Sequence, residues 1–88
     1  EPVEVTDAWG HHVGVTGRAE VTAEPARLSR GGRSVDLVGW AGPWPVDERW
    51  WDPPRHRRRA RFQVLDAEGM AHLLSVEDGR WWLEATYD

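Results

Sequence analysis

Apolar and polar residues alternate over short stretches of the chain, and glycine-containing turns separate these stretches. Val3 and Val5 alternate with Glu4 and Thr6, which predicts a first strand. The apolar spacing typical of helices is weak throughout. We therefore predict an all-β domain, a barrel or sandwich of about five to seven short, mostly antiparallel strands, either SH3-like or OB-like.

Turn residues divide the first half of the chain. The segment Trp9–His12 predicts a turn around Gly10. Gly31 and Gly32 predict a tight hairpin between Arg30 and Arg33, because glycine accepts the positive φ that such turns require. Further extended segments are predicted over 13–16, 19–22, 26–28 and 35–40, followed by a loop over 41–54.

The second half predicts a three-strand meander over 58–65, 70–76 and 80–87. The first turn, Asp66–Gly69, fits a type I turn that ends in a left-handed glycine. The second turn, Asp78-Gly79, fits a two-residue type I′ hairpin. This turn fixes the expected cross-strand pairs, which are Glu77 with Arg80, Val76 with Trp81 and Leu74 with Leu83.

Alternation within the meander predicts which side chains face inward. One face of the first meander strand carries Ala60, Phe62 and Val64, and the other carries Arg57, Arg59, Arg61 and Gln63. In the last strand, one face is expected to carry Trp81, Leu83, Ala85 and Tyr87. Trp82 and Glu84 take the opposite face, with Arg61 as a near neighbour.

The length of 88 residues predicts one β domain spanning 1–88, and its start at Glu1-Pro2 rather than at methionine suggests a fragment of a longer protein. Each of the seven tryptophans can bury roughly 200 Å², worth about 5 kcal/mol before entropy is subtracted. The absence of cysteine fits a reducing, cytoplasmic location. No apolar stretch approaches the ~20 residues of a membrane span, so we expect no membrane partner.

Candidate catalytic and metal residues are few. His11 and His12 are adjacent and would point in opposite directions from a strand, while His56 and His72 are isolated. No serine lies in a nucleophile-elbow context, and no glycine pattern resembles a phosphate-binding loop. We therefore predict a protein that is not an enzyme, with no metal, no cofactor and no small-molecule substrate.

The run from Arg55 to Arg61 has two interpretations. Arginines beside aromatic residues neutralise phosphates and stack on bases, which would suit single-stranded DNA. Alternatively, the run forms a solvated strand face balanced by Asp47, Glu48 and Asp52 just upstream. The net charge of −4 favours the second interpretation.

The segment from Trp40 to Asp52 contains four of the seven tryptophans, interleaved with prolines. Trp40 and Trp44 are predicted to close the core as a lid. Trp50 and Trp51 are adjacent and cannot both face inward if the chain is extended, and the same holds for Trp81 and Trp82. Exposed tryptophan and arginine are enriched at protein–protein hot spots. The predicted partner-binding residues are Trp50, Trp51, Trp82, Arg57, Arg59 and Arg61, and the predicted core or lid residues are Trp40, Trp44, Phe62, Trp81 and Leu83.

Three segments also carry a family resemblance. They are the tryptophan-rich segment 40–52, the stretch 59–64 and the C-terminal stretch 79–88, and 25–29 extends the match towards the N-terminus. In these segments the chain resembles the C-terminal end of actinobacterial ImuB proteins. These proteins are similar to Y-family translesion polymerases but lack the catalytic carboxylates.

The resemblance implies a role in damage-induced (SOS) mutagenesis. ImuB-type proteins act as a hub between the sliding clamp, a RecA-like ImuA-type protein and an error-prone replicative-type polymerase. No glutamine-led clamp motif is present in this chain. We therefore expect a docking domain for the ImuA-type protein or the polymerase. The alternatives are a small barrel that binds single-stranded DNA and a purely architectural or dimerising domain.

Overall fold

A computed structural model of the chain describes residues 1–16, 20–48 and 57–88, with the side chains of 45–48 and 57–59 left undescribed. The described residues form strands and turns and no helix, which confirms the all-β prediction. The six strands are β1 (Pro2–Thr6), β2 (Arg27–Arg30), β3 (Arg33–Glu48), β4 (Arg57–Asp66), β5 (Ala71–Glu77) and β6 (Arg80–Tyr87).

The six strands close into a barrel in which every strand is antiparallel to the next one along the chain. Closure comes from β6, which pairs with β1. This sequential order is that of an up-and-down barrel and differs from the Greek-key order of an OB-fold. The pairing that closes the barrel is short, since β1 pairs with β6 only at Pro2 with Trp82 and Val3 with Trp81.

Two short hairpin turns form where the glycines predict them. Gly31 and Gly32 have φ values of 55° and 81° between β2 and β3. Asp78 and Gly79 have φ values of 52° and 76° between β5 and β6, and two successive positive φ values define a type I′ turn. The cross-strand pairs predicted beside the second turn are all present: Glu77 with Arg80, Val76 with Trp81 and Leu74 with Leu83.

The core is centred on Phe62, which is fully buried. Its ring packs against Trp81 with a centroid separation of 4.9 Å. Trp81 is also buried, and its indole N–H donates to the Val13 carbonyl oxygen at 2.7 Å, so burial leaves no polar atom of the ring unsatisfied. Ala60 and Val64 are buried on the same face of β4 as Phe62, which confirms the alternation predicted for this strand.

The prediction that Ala85 and Tyr87 share the inner face with Trp81 and Leu83 is wrong. Leu74 pairs with Leu83, but the next residue of β5, Leu73, pairs with Ala85. Glu84 is therefore the extra residue of a β-bulge, and a bulge reverses the inward and outward positions that follow it. As a result, Tyr87 points outward and is 58% exposed.

The predicted loop over 41–54 is also wrong for its first part, because β3 continues to Glu48. The pairing with β4 shifts between Ala41 and Trp44, so Gly42 and Pro43 drop out of the ladder. A proline is tolerated at such a bulge because its missing N–H has no ladder partner to lose. Gly42 has a φ of 118°, and a Cβ there would lie 2.7 Å from the Arg61 carbonyl oxygen. The rest of the predicted loop, 49–54, lies outside the described residues.

The segment between β1 and β2 does not form the two predicted strands. Its described residues, 7–16 and 20–26, form isolated bridges, between Thr6 and His12 and between Val15 and Val21. Part of the prediction over 19–22 lies outside the described residues. Val13 nevertheless reaches the core and is fully buried, because its N–H donates to the Val5 carbonyl oxygen and fixes it beside β1. The described part of this segment is therefore attached to the barrel through Val13, whose carbonyl oxygen also accepts the Trp81 indole N–H.

Candidate interaction surface

Two tryptophans and an arginine lie in one row across the outside of the barrel. Trp44 pairs with Arg61, Arg61 with Ser75, and Ser75 with Trp82. Directly opposed residues in antiparallel strands project from the same face. Trp44 is 46% exposed and Trp82 is 40% exposed, and Arg61 is exposed between them. The row therefore places two accessible indoles on either side of a guanidinium.

The bulge in β6 places a polar pair, Ser75 and Glu84, near the centre of this row. Ser75 is 2% exposed although it lies on the outer face. Its hydroxyl donates to Glu84 Oε1 at 2.6 Å, a short bond of the kind made to an ionised acceptor. The bulge therefore brings the Glu84 carboxylate next to Ser75. The serine and the glutamate stabilise the row locally, which leaves the two indoles as its apolar ends.

Apolar residues continue along the outer face next to this row. Leu65 pairs with Ala71, and Ala71 pairs with Tyr87. Leu65 is 43% exposed and Tyr87 is 58% exposed. Leu73 pairs with Ala85. These two residues lie between the row of Leu65 and Tyr87 and the row of Trp44 and Trp82. We call the following set the apolar outer face: Trp44, Leu65, Leu73, Trp82, Ala85 and Tyr87.

The opposite side of the barrel has a different chemistry. The outer positions there carry Glu4, Ser29 and Ser34, which are aligned across β1, β2 and β3. Ser29 and Ser34 hydrogen-bond to each other at 2.9 Å, and Arg27 bonds Asp36 at 3.3 Å. The strand positions that face water are normally occupied by polar residues, as they are on this side of the barrel. The apolar outer face departs from that rule, and such patches mark binding surfaces.

The structure brings together two of the six predicted partner-binding residues, Arg61 and Trp82. Arg57 and Arg59 belong to β4, where they pair with Glu48 and Val46. Their side chains are not described. Trp50 and Trp51 lie outside the described residues, so their predicted roles stay predictions.

The residues predicted for the core or lid separate into three groups. Phe62 and Trp81 lie in the core, and Leu83 packs against it. Trp40 pairs with the buried Val64, and its ring centroid lies 6.3 Å from that of Phe62, yet it remains 38% exposed at the barrel mouth. Trp44 does not close the core. The register shift at Gly42 places it opposite Arg61, on the outside of the barrel.

A buried polar network that the sequence did not indicate closes one end of the barrel. His72 Nε2 lies 2.8 Å from Asp66 Oδ2, and His72 Nδ1 lies 3.0 Å from Thr86 Oγ1. The other oxygen of Asp66 accepts the N–H groups of Glu68 and Met70, each at 2.9 Å. Burial raises the pKa of Asp66, but the hydrogen bonds from His72 and from the two N–H groups outweigh it and lower the pKa below its ordinary value of 3.8.

In this network a carboxylate, an imidazole and a hydroxyl are hydrogen-bonded in that order, which is also their order in the catalytic triads of hydrolases. Here, however, the same carboxylate that bonds His72 also holds the turn after β4 through two N–H groups. Asp66 and His72 are buried at 3% and 6% exposure, and every polar atom of these two side chains has a bonding partner. We interpret the network as the way in which the fold satisfies buried polar groups at this end of the barrel.

Within 1–16, 20–48 and 57–88, no group of three metal-ligating side chains comes together. His11 lies 3.5 Å from Asp7, and His12 bonds the Gly79 carbonyl oxygen. The same part of the chain has no helix that is long and apolar enough to cross a membrane.

No protein-family model, no curated protein sequence and no solved structure matches this chain.

Proposed function

We propose that this domain is a non-catalytic protein–protein interaction module that docks a partner on its apolar outer face. The observation that carries the proposal is the row in which Trp44 and Trp82 flank Arg61. Tryptophan and arginine contribute more to binding energy than other residue types when a partner excludes water from them. Leu65 and Tyr87 extend the same face and supply further apolar area.

The chemistry of this face defines the partner. The partner would present an apolar segment to the two indoles and a carboxylate to Arg61, since an arginine between aromatic rings forms charge-assisted bonds with carboxylates. Arginines at 57, 58 and 59 continue along β4, so an acidic margin on the partner would be attracted to this end. Specificity would come from the spacing of the two indoles around the charge.

The resemblance to ImuB-type proteins supplies the biological setting of the proposal. The domain would belong to an accessory factor of damage-induced translesion mutagenesis in the cytoplasm. Its partner would be the RecA-like ImuA-type protein or the error-prone replicative-type polymerase. Binding to either one would place this barrel among the contacts that assemble the mutasome.

Isothermal titration calorimetry of the domain with each of these two proteins tests the proposal. We expect one of them to bind with a Kd below ~100 μM and the variant Trp82→Ala to bind at least about tenfold more weakly. Trp9→Ala is the matched control, because Trp9 is exposed but lies in the turn after β1 and does not belong to the apolar outer face. Absence of binding to both proteins, or equal binding by the Trp82→Ala variant, would refute the proposal.

A second candidate function, single-stranded DNA binding, is favoured by the alternation of indole and guanidinium in the same row. Bases stack on indoles while arginines neutralise phosphates. The net charge of −4 and the Glu84 carboxylate beside Ser75 oppose it. Oligonucleotide binding that quenches tryptophan fluorescence at low salt and weakens steeply with added salt would support this alternative over protein docking.

A further inference from the structure

A second surface shares no residue with the apolar outer face, although Gly39, which lines it, pairs with Leu65 of that face. An open cleft of about 770 Å³ is bounded by the turn after β1, the residues before β2 and the middle of β3. Trp9 and Trp40 both line it, and Trp9 is 81% exposed. The remaining lining is mostly small and apolar and includes Ala23, Pro25 and Leu37.

The turn that carries Trp9 is held in place by Asp7. One carboxylate oxygen of Asp7 accepts the N–H groups of Trp9 and His11 at 2.9 and 2.8 Å. The Gly10 N–H donates to the Asp7 carbonyl oxygen, and the Asp7 N–H donates to the His11 carbonyl oxygen. These bonds fix the backbone on both sides of the exposed indole. A turn with a fixed backbone loses less conformational entropy when a ligand packs against it.

The second indole is also supported from behind. Trp40 packs against the buried ring of Phe62 at a centroid separation of 6.3 Å. Val38, two residues earlier in β3, is 65% exposed and lines the same cleft. The cleft is thus lined by one indole that packs against the core, that of Trp40, and by a second, exposed indole on a turn whose backbone is hydrogen-bonded.

The charged side chains described in the lining of the cleft are all acidic. Among the described residues its lining contains two carboxylates, those of Asp7 and Glu24, and no basic side chain. Asp7 is engaged by its own turn, and its pKa is lowered because these hydrogen bonds outweigh the effect of burial. Glu24 is exposed and faces solvent at the rim. The cleft therefore attracts a cation and repels phosphate.

We propose that this cleft binds an extended, proline-rich peptide segment that carries an arginine or lysine. Proline rings pack flat against indoles, and a polyproline II segment is already extended, so its binding costs little ordering entropy. The basic residue of the segment would pair with Glu24. The proposal is independent of docking on the apolar outer face, because the two surfaces share no residue.

Two-dimensional NMR of the isotope-labelled domain, titrated with an oligoproline peptide bearing an arginine at each end, tests this inference. We expect saturable shifts of the Trp9 and Trp40 indole signals with a Kd below ~1 mM. Two control peptides, one with glutamate for each arginine and one with glycine and serine for the prolines, should each bind at least about tenfold more weakly.

Variants identify the site. Trp9→Ala should weaken the peptide at least about tenfold, and Glu24→Gln should weaken it about threefold. Trp82→Ala should leave peptide binding unchanged, so this experiment fails or succeeds separately from the proposed function. Absence of saturable shifts at Trp9 and Trp40, equal affinity for all three peptides, or unchanged binding by the Trp9→Ala variant would overturn the proposal.

Discussion

Trp44 and Trp82 lie in one cross-strand row of the barrel, separated by the strands that carry Arg61 and Ser75. At roughly 4.8 Å between neighbouring strands, three steps place the two indoles roughly 14 Å apart along the sheet. An α-helix with its side chains is about 10–12 Å wide, and an extended strand is narrower. Because the two indoles themselves occupy part of this spacing, the narrower extended strand is the partner segment that we expect between them, above Arg61.

The exposure of these indoles predicts that they contribute little to folding. Trp44→Ala and Trp82→Ala should each lower the free energy of unfolding by less than about 1.5 kcal/mol, because roughly half of each side chain is in water. Trp81→Ala should lower it by about 3–5 kcal/mol, because that ring is buried in the core. Equilibrium urea denaturation measures all three. A large loss from Trp82→Ala would assign this residue to the core rather than to a binding surface.

Arg61 should act mainly on association. Arg61→Glu reverses the charge between the indoles, so the partner should associate at least about tenfold more slowly at low salt. Arg61→Gln should have a smaller effect, and added salt should reduce the difference between wild type and variants because it screens the attraction. Stopped-flow fluorescence measures these rates. An association rate that is the same for all three proteins would exclude Arg61 from the contact.

Gly42 should tolerate no side chain. Gly42→Ala combines a φ of 118° with a Cβ only 2.7 Å from the Arg61 carbonyl oxygen, so we expect a loss of roughly 2–4 kcal/mol in the free energy of unfolding. Gly31→Ala is the matched control, because Gly31 has a φ of 55° and no atom within 4 Å of its Cβ position. The control should lose only about 1 kcal/mol. Thermal and urea unfolding compare the two, and equal losses would contradict the bulge geometry at Gly42.

Asp66 should make the domain sensitive to acid. Its pKa in the folded state is lowered below the ordinary value of 3.8, so the carboxylate stabilises the fold fully above about pH 4. This contribution is lost as the pH falls through the folded-state pKa. Asp66→Asn should lower stability at pH 7 by about 1–3 kcal/mol and make the acid dependence shallower.

Asp36→Asn provides the control for this pH dependence. Asp36 is an exposed carboxylate that pairs with Arg27, so its replacement should cost less than about 1 kcal/mol. Chemical denaturation from pH 2 to pH 8 measures the profiles. If Asp66→Asn shows the same acid slope as wild type, the network with His72 does not stabilise the ionised carboxylate.

Much of the meander could be predicted because its signals are local. Alternation in β4 assigns Ala60, Phe62 and Val64 to the core, and the Asp78-Gly79 turn fixes the first pairs of β5 and β6. The bulge at Glu84 could not be predicted in this way. Its partner in the structure is Ser75, which lies in a different strand, and the apolar and polar residues of β6 continue to alternate in sequence on both sides of Glu84. One such residue was enough to move Tyr87 to the outside.

The prolines of β3 made it impossible to predict from the sequence that this strand continues to Glu48. Pro43 and Pro45 indicate a loop, because proline cannot donate to a ladder. The strand continues because the register shift removes Gly42 and Pro43 from pairing, and this depends on the close approach of β4 to Gly42. Trp44 then belongs to the outer row. The extent of the apolar outer face does have a sequence signal, since the adjacent apolar residues Val64-Leu65 and Leu73-Leu74 each break the expected alternation.

The most direct test of the docking face is an NMR footprint of the domain mixed with each of the two proposed partners, an ImuA-type protein and an error-prone replicative-type polymerase. We predict that the largest changes in signal fall on Trp44, Arg61 and Trp82, and that the polar side marked by Glu4 and Ser34 stays unchanged. A footprint centred on that polar side, or one that spares both indoles of the row, would contradict the docking face proposed for this barrel.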